Sequence, residues 1–317
     1  MEKRLLSFVI PCYRSEHTVE AVVDELINEV NKRSDEFDYE ITLVNDCSPD
    51  GVFGVIKKLC AENSKIKGIS FAKNFGQHSA LMAGYRNSSG EIVITLDDDG
   101  QAPVESIYSL VEKIDEGFDV VFGRYPHVKQ SVFRRLGSKV NDRMCEIMLG
   151  KPKGIVGNSF YAMKRFVSQQ MVKYENSFPY IGGLVFQATV NVINIDVEQR
   201  ERAEGRSGYT LGKLIKLWFN GFTAFSVKPL RISAFIGAVS ALAGLIFGIV
   251  TVIRKFVNPD IIMGYSSLMA ALLFIGGMIM LMLGMIGEYI GRIYICINNS
   301  PQYVIRETVN IESTREK

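Results

Sequence analysis

The sequence has little net charge: 36 lysines and arginines stand against 34 aspartates and glutamates, a balance of +2. Such a balance offers no electrostatic footprint for a nucleic-acid partner. There is no long apolar run near the N-terminus. Leu5–Ile10 is short and Pro11 ends it, which excludes a secretory h-region and places the first 230 or so residues in the cytoplasm as an expectation. The five cysteines (Cys12, Cys47, Cys60, Cys145, Cys296) show no paired spacing, so free thiols are expected rather than a disulfide framework or a metal cluster. No Gly-x-Gly-x-x-Gly follows the first apolar run, which disfavours a dinucleotide-dependent oxidoreductase.

Charge is also missing locally. No charged residue occurs from Ile232 to Ile253, and none from Ile261 to Gly287. Each run exceeds the ~20 residues that a helix needs to cross a bilayer core. Core helices of that length normally keep a polar stripe, so two membrane spans are expected, about 232–253 and 263–287, turning near Asn258-Pro259. Tyr209–Leu230 is apolar with Lys213, Lys216, Lys228 and Trp218, and reads as an interfacial amphipathic helix. The alternative is an ordinary surface helix. Two spans return the polar tail to the cytoplasmic side. Arg254 and Lys255 on the far side weaken the charge argument for this orientation.

Ahead of the spans, apolar strands alternate with helical spacing. Val19, Val22, Val23, Leu26, Ile27 and Val30 share one helical face. Strands are expected at Leu5–Ile10, Glu40–Val44, Ile66–Phe71, Ile92–Leu96 and Val120–Phe122, with a further short α/β region ending at Val190–Ile195. Such alternation implies an α/β domain on a mostly parallel sheet, with ligands beyond the carboxyl ends of its strands. The expected division is a catalytic domain 1–208, an interfacial helix 209–230, a membrane hairpin 231–291 and a tail 292–317.

Three strand ends carry chemistry. Asp97, Asp98 and Asp99 follow Ile92–Leu96 directly. Adjacent carboxylates repel unless a cation lies between them. Alternation along an extended segment lets Asp97 and Asp99 act together while Asp98 points away. Hard oxygen ligands suit Mg²⁺ or Mn²⁺ bridging to a diphosphate. A solvated acidic turn is the competing reading. Asp46 follows the second expected strand, where it could accept bonds from a base edge or ribose. The Ser48-Pro49-Asp50-Gly51 sequence after it is equally good turn chemistry. After the first strand, Tyr13 could stack on a base and Glu16 could bond ribose, while Ser15 could serve only as a helix N-cap. His78, beside Gln77, reads either as a phosphate or acceptor contact or as a histidine on a solvated helix edge.

Taken together, Val9–Glu16, Val44-Asn45-Asp46, Lys73-Asn74-Phe75-Gly76-Gln77 and the Asp97–Gln101 segment resemble family 2 glycosyltransferases of the GT-A fold. Arg202-x-x-Gly205-x-Ser207-x-Tyr209 and Gly287-Glu288-Tyr289-Ile290-Gly291-Arg292-Ile293-Tyr294 resemble motifs of the polyprenyl-phosphate branch. The likeness spans nearly the whole chain in the right order. It is strongest toward undecaprenyl-phosphate glucosyl- and aminoarabinosyltransferases and more distant toward dolichol-phosphate mannose synthases.

The resemblance implies inverting transfer from a nucleotide-sugar, with UDP preferred, to a polyprenyl phosphate at the inner membrane. It implies nucleotide contacts by Pro11, Tyr13, Glu16, Asp46, Lys73, Asp97 and Asp98, and a metal on Asp97, Asp99 and Gln101. Arg202 and Arg206, with Ser207 and Tyr209, would hold the acceptor phosphate or the diphosphate. Relatives form tetramers, which makes a homo-oligomer an expectation.

The sequence departs from the family where some members carry an aspartate proposed as base. Here the stretch is Ser159-Phe160-Tyr161-Ala162-Met163, and neutral Ser159 is a poor base. Ser159, Tyr161 and the Phe178–Gly183 loop are expected around the sugar. A processive polysaccharide synthase is disfavoured because Trp218 lies in no Gln-x-x-Arg-Trp motif. A membrane-anchored binding protein without turnover is the reading from another class.

Overall fold

The structure, a computed structural model, describes residues 3–126, 145–147, 150–198, 200, 228–257, 265–298 and 300–311. The chain divides into two compact units, residues 1–211 with 300–317, and residues 212–299.

The first unit is an α/β layer structure. Strands β1 (Arg4–Cys12), β2 (Phe37–Asn45), β3 (Ile66–Phe71) and β4 (Ile92–Thr95) alternate with helices α1 (Val19–Asn31), α2 (Val52–Glu62) and α3 (Gln77–Arg86). Helix α4 (Ile107–Asp115), β5 (Val120–Arg124), β6 (Tyr161–Lys164), α5 (Arg165–Met171), α6 (Ile181–Ala188) and β7 (Val192–Asp196) follow. The sheet order is β7-β5-β6-β4-β1-β2-β3-β8, where β8 is Ile305–Val309. Strands β1 to β4 pair in parallel, whereas β6 runs antiparallel between β4 and β5.

The near-continuous apolar runs form the buried centre. Leu6, Phe8, Ile10, Ile41 and Leu43 are inaccessible and meet Val23 and Leu26 of α1 and Ile56 of α2 in one core. Strands covered on both faces have this composition. Pro11 fits near the end of β1 because the β1–β4 ladder stops at Val9 opposite Thr95. A proline lacks the donor for another rung.

One polar network is buried at the opposite end of the sheet. The Glu40 carboxylate accepts bonds from the Ser7 and Ser89 hydroxyls and the Ser89 amide, and pairs with Lys67 at 2.7 Å. Burial alone would raise its pKa; the Lys67, Ser7 and Ser89 contacts outweigh that and hold it below the ordinary value. A depressed carboxylate contributes stability above its unfolded pKa, near ~4.3, and loses it as the pH falls. Glu40→Ala leaves Lys67 half-buried without this partner and should cost about 3 kcal/mol. Denaturant unfolding in detergent will read that loss at neutral pH, and the variant should lose less than the parent on acidification below pH ~4.

The eighth strand comes from the far end of the chain. Reading residues 292–317 as a tail gave no hint of it, yet β8 pairs antiparallel with β3, Gly68 opposite Val309. The Asn310 amide donates to the Cys60 and Ile66 carbonyls at 2.7 and 2.8 Å, and Lys57 pairs with Glu307. Arg306 and Glu307 on this edge are the kind of charge that blunts a free strand edge against aggregation.

The second unit holds α7 (Lys228–Val257) and α8 (Tyr265–Ile297), of 30 and 33 residues. At 1.5 Å per residue they run about 45–50 Å, longer than a ~30 Å bilayer core. Windows at Ser233–Val250 and Phe274–Ile295 have mean hydropathies of 2.2 and 1.6, and almost none of either is buried within the protein. Exposed Phe235, Leu245, Phe247, Phe274 and Leu281 suit lipid rather than water. The expected interfacial helix falls mainly on residues 209–227, outside the described residues.

Candidate active site

Chemistry-bearing residues gather where β1, β2, β3 and β4 end. The β1–α1 and β2–α2 loops are fastened to each other. Asp46 N–H donates to the Cys12 carbonyl, Arg14 N–H to the Ser48 hydroxyl at 2.8 Å, and Glu16 N–H to Asp50 at 3.0 Å. Glu16 in return accepts the Gly51 amide at 2.9 Å. Arg14 and Cys47 both adopt left-handed backbone (φ 59° and 50°). Non-glycine residues hold such a conformation where surrounding contacts over-determine it, and such positions cluster at ligand sites.

Tyr13 stands at the rim, 45% exposed, with the Arg14 guanidinium 5.6 Å from its ring centre. Its amide donates to the Asp98 carboxylate at 3.0 Å, and the Thr18 hydroxyl donates to the Asp98 carbonyl at 2.7 Å. Asp98 therefore faces back into the β1–α1 loop. Desolvation there, opposed by the Ser15 hydroxyl and the Tyr13 amide, raises its pKa to about 6.

Asp97 takes another direction. Its carboxylate accepts a bond from the Gln77 side-chain amide at 2.8 Å. Asp99 accepts the Gln101 amide at 3.1 Å, closing a turn that Gly100 completes in left-handed backbone (φ 72°). Gln101 is tied to Arg200: its amide donates to the Arg200 carbonyl, and its carbonyl accepts the Arg200 N–H. The Arg200 guanidinium in turn bridges Glu25 and Glu105.

Asp46 is only 4% exposed, and its two oxygens accept the Phe75 and Gly76 amides at 2.6 and 2.7 Å. Burial raises its pKa, and the two amides oppose the rise. The Asn74 side chain donates to the Asp46 carbonyl. Asp46 thus fastens the Lys73–Gln77 turn, with Gly76 at φ 92° permitting the entry into α3. Lys73 is exposed, its ammonium 4.9 Å from the Phe75 ring centre.

Some expected residues lie elsewhere. Tyr161 does not wall a pocket: it is 2% exposed, in β6, and its hydroxyl meets that of Tyr85, which also bonds Thr95. Its burial is set by these partners and by Phe122, whose ring centre is 5.2 Å away. Ser159 is half-buried and bonds the Asn158 side chain. Phe178 is 61% exposed in left-handed backbone, whereas Ile181–Gly183 open α6. His78 is not on a solvated edge. It is half-buried against the edge of Tyr180, and burial lowers its pKa to about 4, so it is neutral near pH 7. Arg202, Arg206, Ser207 and Tyr209 lie outside the described residues. Sequence reasoning gave no role to Gln77, Arg200 or the Asp98–Tyr13 tie. Gln77 alone carried a signal, as the last residue of a quoted motif.

The donor set at the acidic tip is two carboxylates and an amide oxygen. Among the described residues, no three histidines, cysteines or carboxylates converge as a closed metal cage. Asp97, Asp99 and Gln101 therefore fit a hard divalent cation that takes its remaining ligands from phosphate and water, the habit of Mg²⁺. They do not fit an ion held by protein alone.

Comparison with known proteins places this geometry. Residues 7–183 match the family described as Glycosyl transferase family 2, and residues 228–293 match the GtrB C-terminal hairpin. The chain is 33% identical over 311 residues to an undecaprenyl-phosphate 4-deoxy-4-formamido-L-arabinose transferase of Proteus mirabilis, covering 97% of this chain and 94% of that protein. Its fold is shared with mannosyl-3-phosphoglycerate synthase from Rubrobacter xylanophilus (TM-score 0.52, 18% identity, 73% of this chain and 75% of that one). It is also shared with glucosyl-3-phosphoglycerate synthase from Mycobacterium tuberculosis, solved with Mn²⁺, UDP and phosphoglyceric acid (TM-score 0.50, 18% identity, 68% and 75%). The α/β domain is thus of the GT-A kind, and two helices of membrane-spanning length follow it. The chain belongs to glycosyl transferase family 2 and is a glycosyltransferase that ends in a GtrB-type C-terminal hairpin of two apolar helices.

Proposed function

We propose that the protein transfers a sugar from a UDP-sugar to undecaprenyl or a related polyprenyl phosphate, at the cytoplasmic face of the inner membrane. The observation that carries this reading is the acidic tip. Asp97 and Asp99 stand at the carboxyl edge of the sheet, in a chain that aligns end to end with an undecaprenyl-phosphate sugar transferase.

In this reading Tyr13 stacks on the base, and the fastened loops carrying Glu16 and Asp46 shape its pocket. Lys73 faces the diphosphate. Asp97, Asp99 and Gln101 would hold Mg²⁺ or Mn²⁺, which when bound offsets the charge building on the departing diphosphate. The Mn²⁺ and UDP of the mycobacterial synthase lend this support by shared fold. Arg202 and Arg206 would hold the acceptor phosphate through bidentate bonds.

The acceptor needs little activation. A phosphate monoester has a second pKa near ~6, so its attacking oxygen is already ionised at neutral pH. That oxygen bonds to the sugar's anomeric carbon as the bond to the nucleoside diphosphate breaks, inverting the centre. Ser159 is then no handicap, and neither His78 nor Asp98 is required as a base.

The test is a donor screen on purified protein in detergent with undecaprenyl phosphate and Mn²⁺, read by mass spectrometry of the lipid. One UDP-sugar should give a lipid-linked monosaccharide, and chelation of the metal should stop it. Absence of any lipid-linked sugar across all donors would overturn the reading.

A further inference from the structure

Residues 300–311 lie outside both matched segments, yet they reach the carboxyl end of β3, where Phe71 pairs with Ile305. We propose that Tyr303 is a positioning residue for donor binding, acting on the Lys73–Gln77 turn through two phenylalanines. This rests on the donor reading above.

The Tyr303 ring stacks on Phe71, the last residue of β3, with centroids 5.1 Å apart and planes 8° from parallel. Phe71 meets Phe75 edge-on at 5.7 Å and 85°. Phe75 lies inside the turn: its amide is held by Asp46, and its ring lies beneath the Lys73 ammonium. Two residues on, Gln77 holds Asp97. Three rings thus connect the end of the chain to the residues set to meet a diphosphate.

The contact is built rather than incidental. The β3–β8 ladder is irregular between Ser70 and Phe71, so regular pairing gives out just before the turn. There the Val304 carbonyl accepts the Ala72 amide at 2.9 Å, beside the Tyr303 stack. Upstream, the Gln302 amide donates to the Tyr174 and Asn176 carbonyls at 3.0 and 3.1 Å, and the Ser177 hydroxyl donates to the Ser300 carbonyl. Tyr303 is therefore fixed from both sides. Phe71 and Phe75 pack with Tyr303, Val44, Ile69, Ala80 and Ala83 in a small cluster of their own. Loss of the Tyr303 ring removes one wall of that cluster and lets Phe75 turn, which shifts Lys73.

The experiment measures UDP binding with Mn²⁺ by calorimetry on the full chain in detergent, together with donor KM and kcat. Aromatic pairs of this kind lead us to expect that Tyr303→Ala weakens UDP binding and raises donor KM about fivefold, with kcat within about twofold. Tyr303→Phe keeps the ring and should restore both. Glu307→Gln breaks an exposed pair in the same strand and should leave both unchanged, which separates this effect from general loosening of the edge. Parental UDP affinity in Tyr303→Ala overturns the proposal, as does a Tyr303→Phe variant as impaired as the alanine. Should the alanine variant not fold, Tyr303→Leu fills the space without a flat ring, and parental affinity there overturns it equally. An unmodified protein that binds no UDP defeats the donor reading itself and this proposal with it, a failure visible before any variant is made.

Discussion

Asp99→Ala is expected to lower kcat/KM for sugar transfer by about a thousandfold. A metal-assisted leaving group draws several kcal/mol from the cation, and each ~1.4 kcal/mol is a factor of ten in rate. Asp99 sits in a turn that its own carboxylate closes onto the Gln101 amide, so the substitution also removes that bond and leaves Gln101 held through Arg200. Asp99→Asn preserves that acceptor and the turn but not the charge, and should be nearly as inactive. The comparison separates ligand loss from turn loss. Transfer rates should be followed against Mn²⁺ concentration, since a weakened site is partly rescued by more metal. Activity of Asp99→Asn within tenfold of the parent at limiting Mn²⁺, with an unchanged metal dependence, would remove Asp99 from the cation site.

The second large effect is expected at Asp46, for a different reason. Its two oxygens each accept an amide, from Phe75 and Gly76, in a place with 4% exposure. Asp46→Ala strands both donors, and an unpaired buried amide costs about 1–3 kcal/mol. The turn can escape that cost only by opening toward water, which carries Lys73 away and disturbs Gln77. Transfer should therefore fall by about a hundredfold, mostly in donor KM, while the rest of the sheet stays folded. Asp46→Asn offers one acceptor oxygen and presents an NH₂ group to the other amide, so it should recover little. Far-ultraviolet circular dichroism together with donor kinetics will check both parts. Parental KM in Asp46→Ala would mean the turn is held by other contacts.

The β–α alternation was legible because apolar strands and amphipathic helices have different periods. Strand β3 falls at Ile66–Phe71 as the pattern predicts, and α1 extends the predicted face by a residue. Alternation predicts that Asp98 points away from Asp97, and the two do bond different partners. The chain has left β4 at Thr95, however, and is turning at Asp98 and Asp99, so the turn rather than a pleat sets their directions. What Asp98 meets was not readable, because the Tyr13 amide lies 85 positions away. Tyr161 misled for a related reason. A motif position says which residue replaces another, but β6 is four residues long and wedged antiparallel between β4 and β5, so burial there is decided by partners distant in sequence. Strand β8 escaped notice because Ile305–Val309 carries Arg306 and Glu307 and is mostly exposed, the composition of an edge strand and equally of a loop.

The provenance of β8 sets an order of assembly. Asn310 grips the Ile66 carbonyl across 244 positions of sequence, and both apolar helices are synthesised between the two. Translation at roughly 5–20 residues per second leaves the seven-strand precursor without its eighth strand for several seconds, with the β3 edge unpaired, while both apolar helices are being made. Completion of the α/β unit therefore waits on synthesis of both apolar helices. A nascent chain arrested before residue 300 should carry an open β3 edge, sensitive to proteases and prone to self-association, that heals only once synthesis is complete.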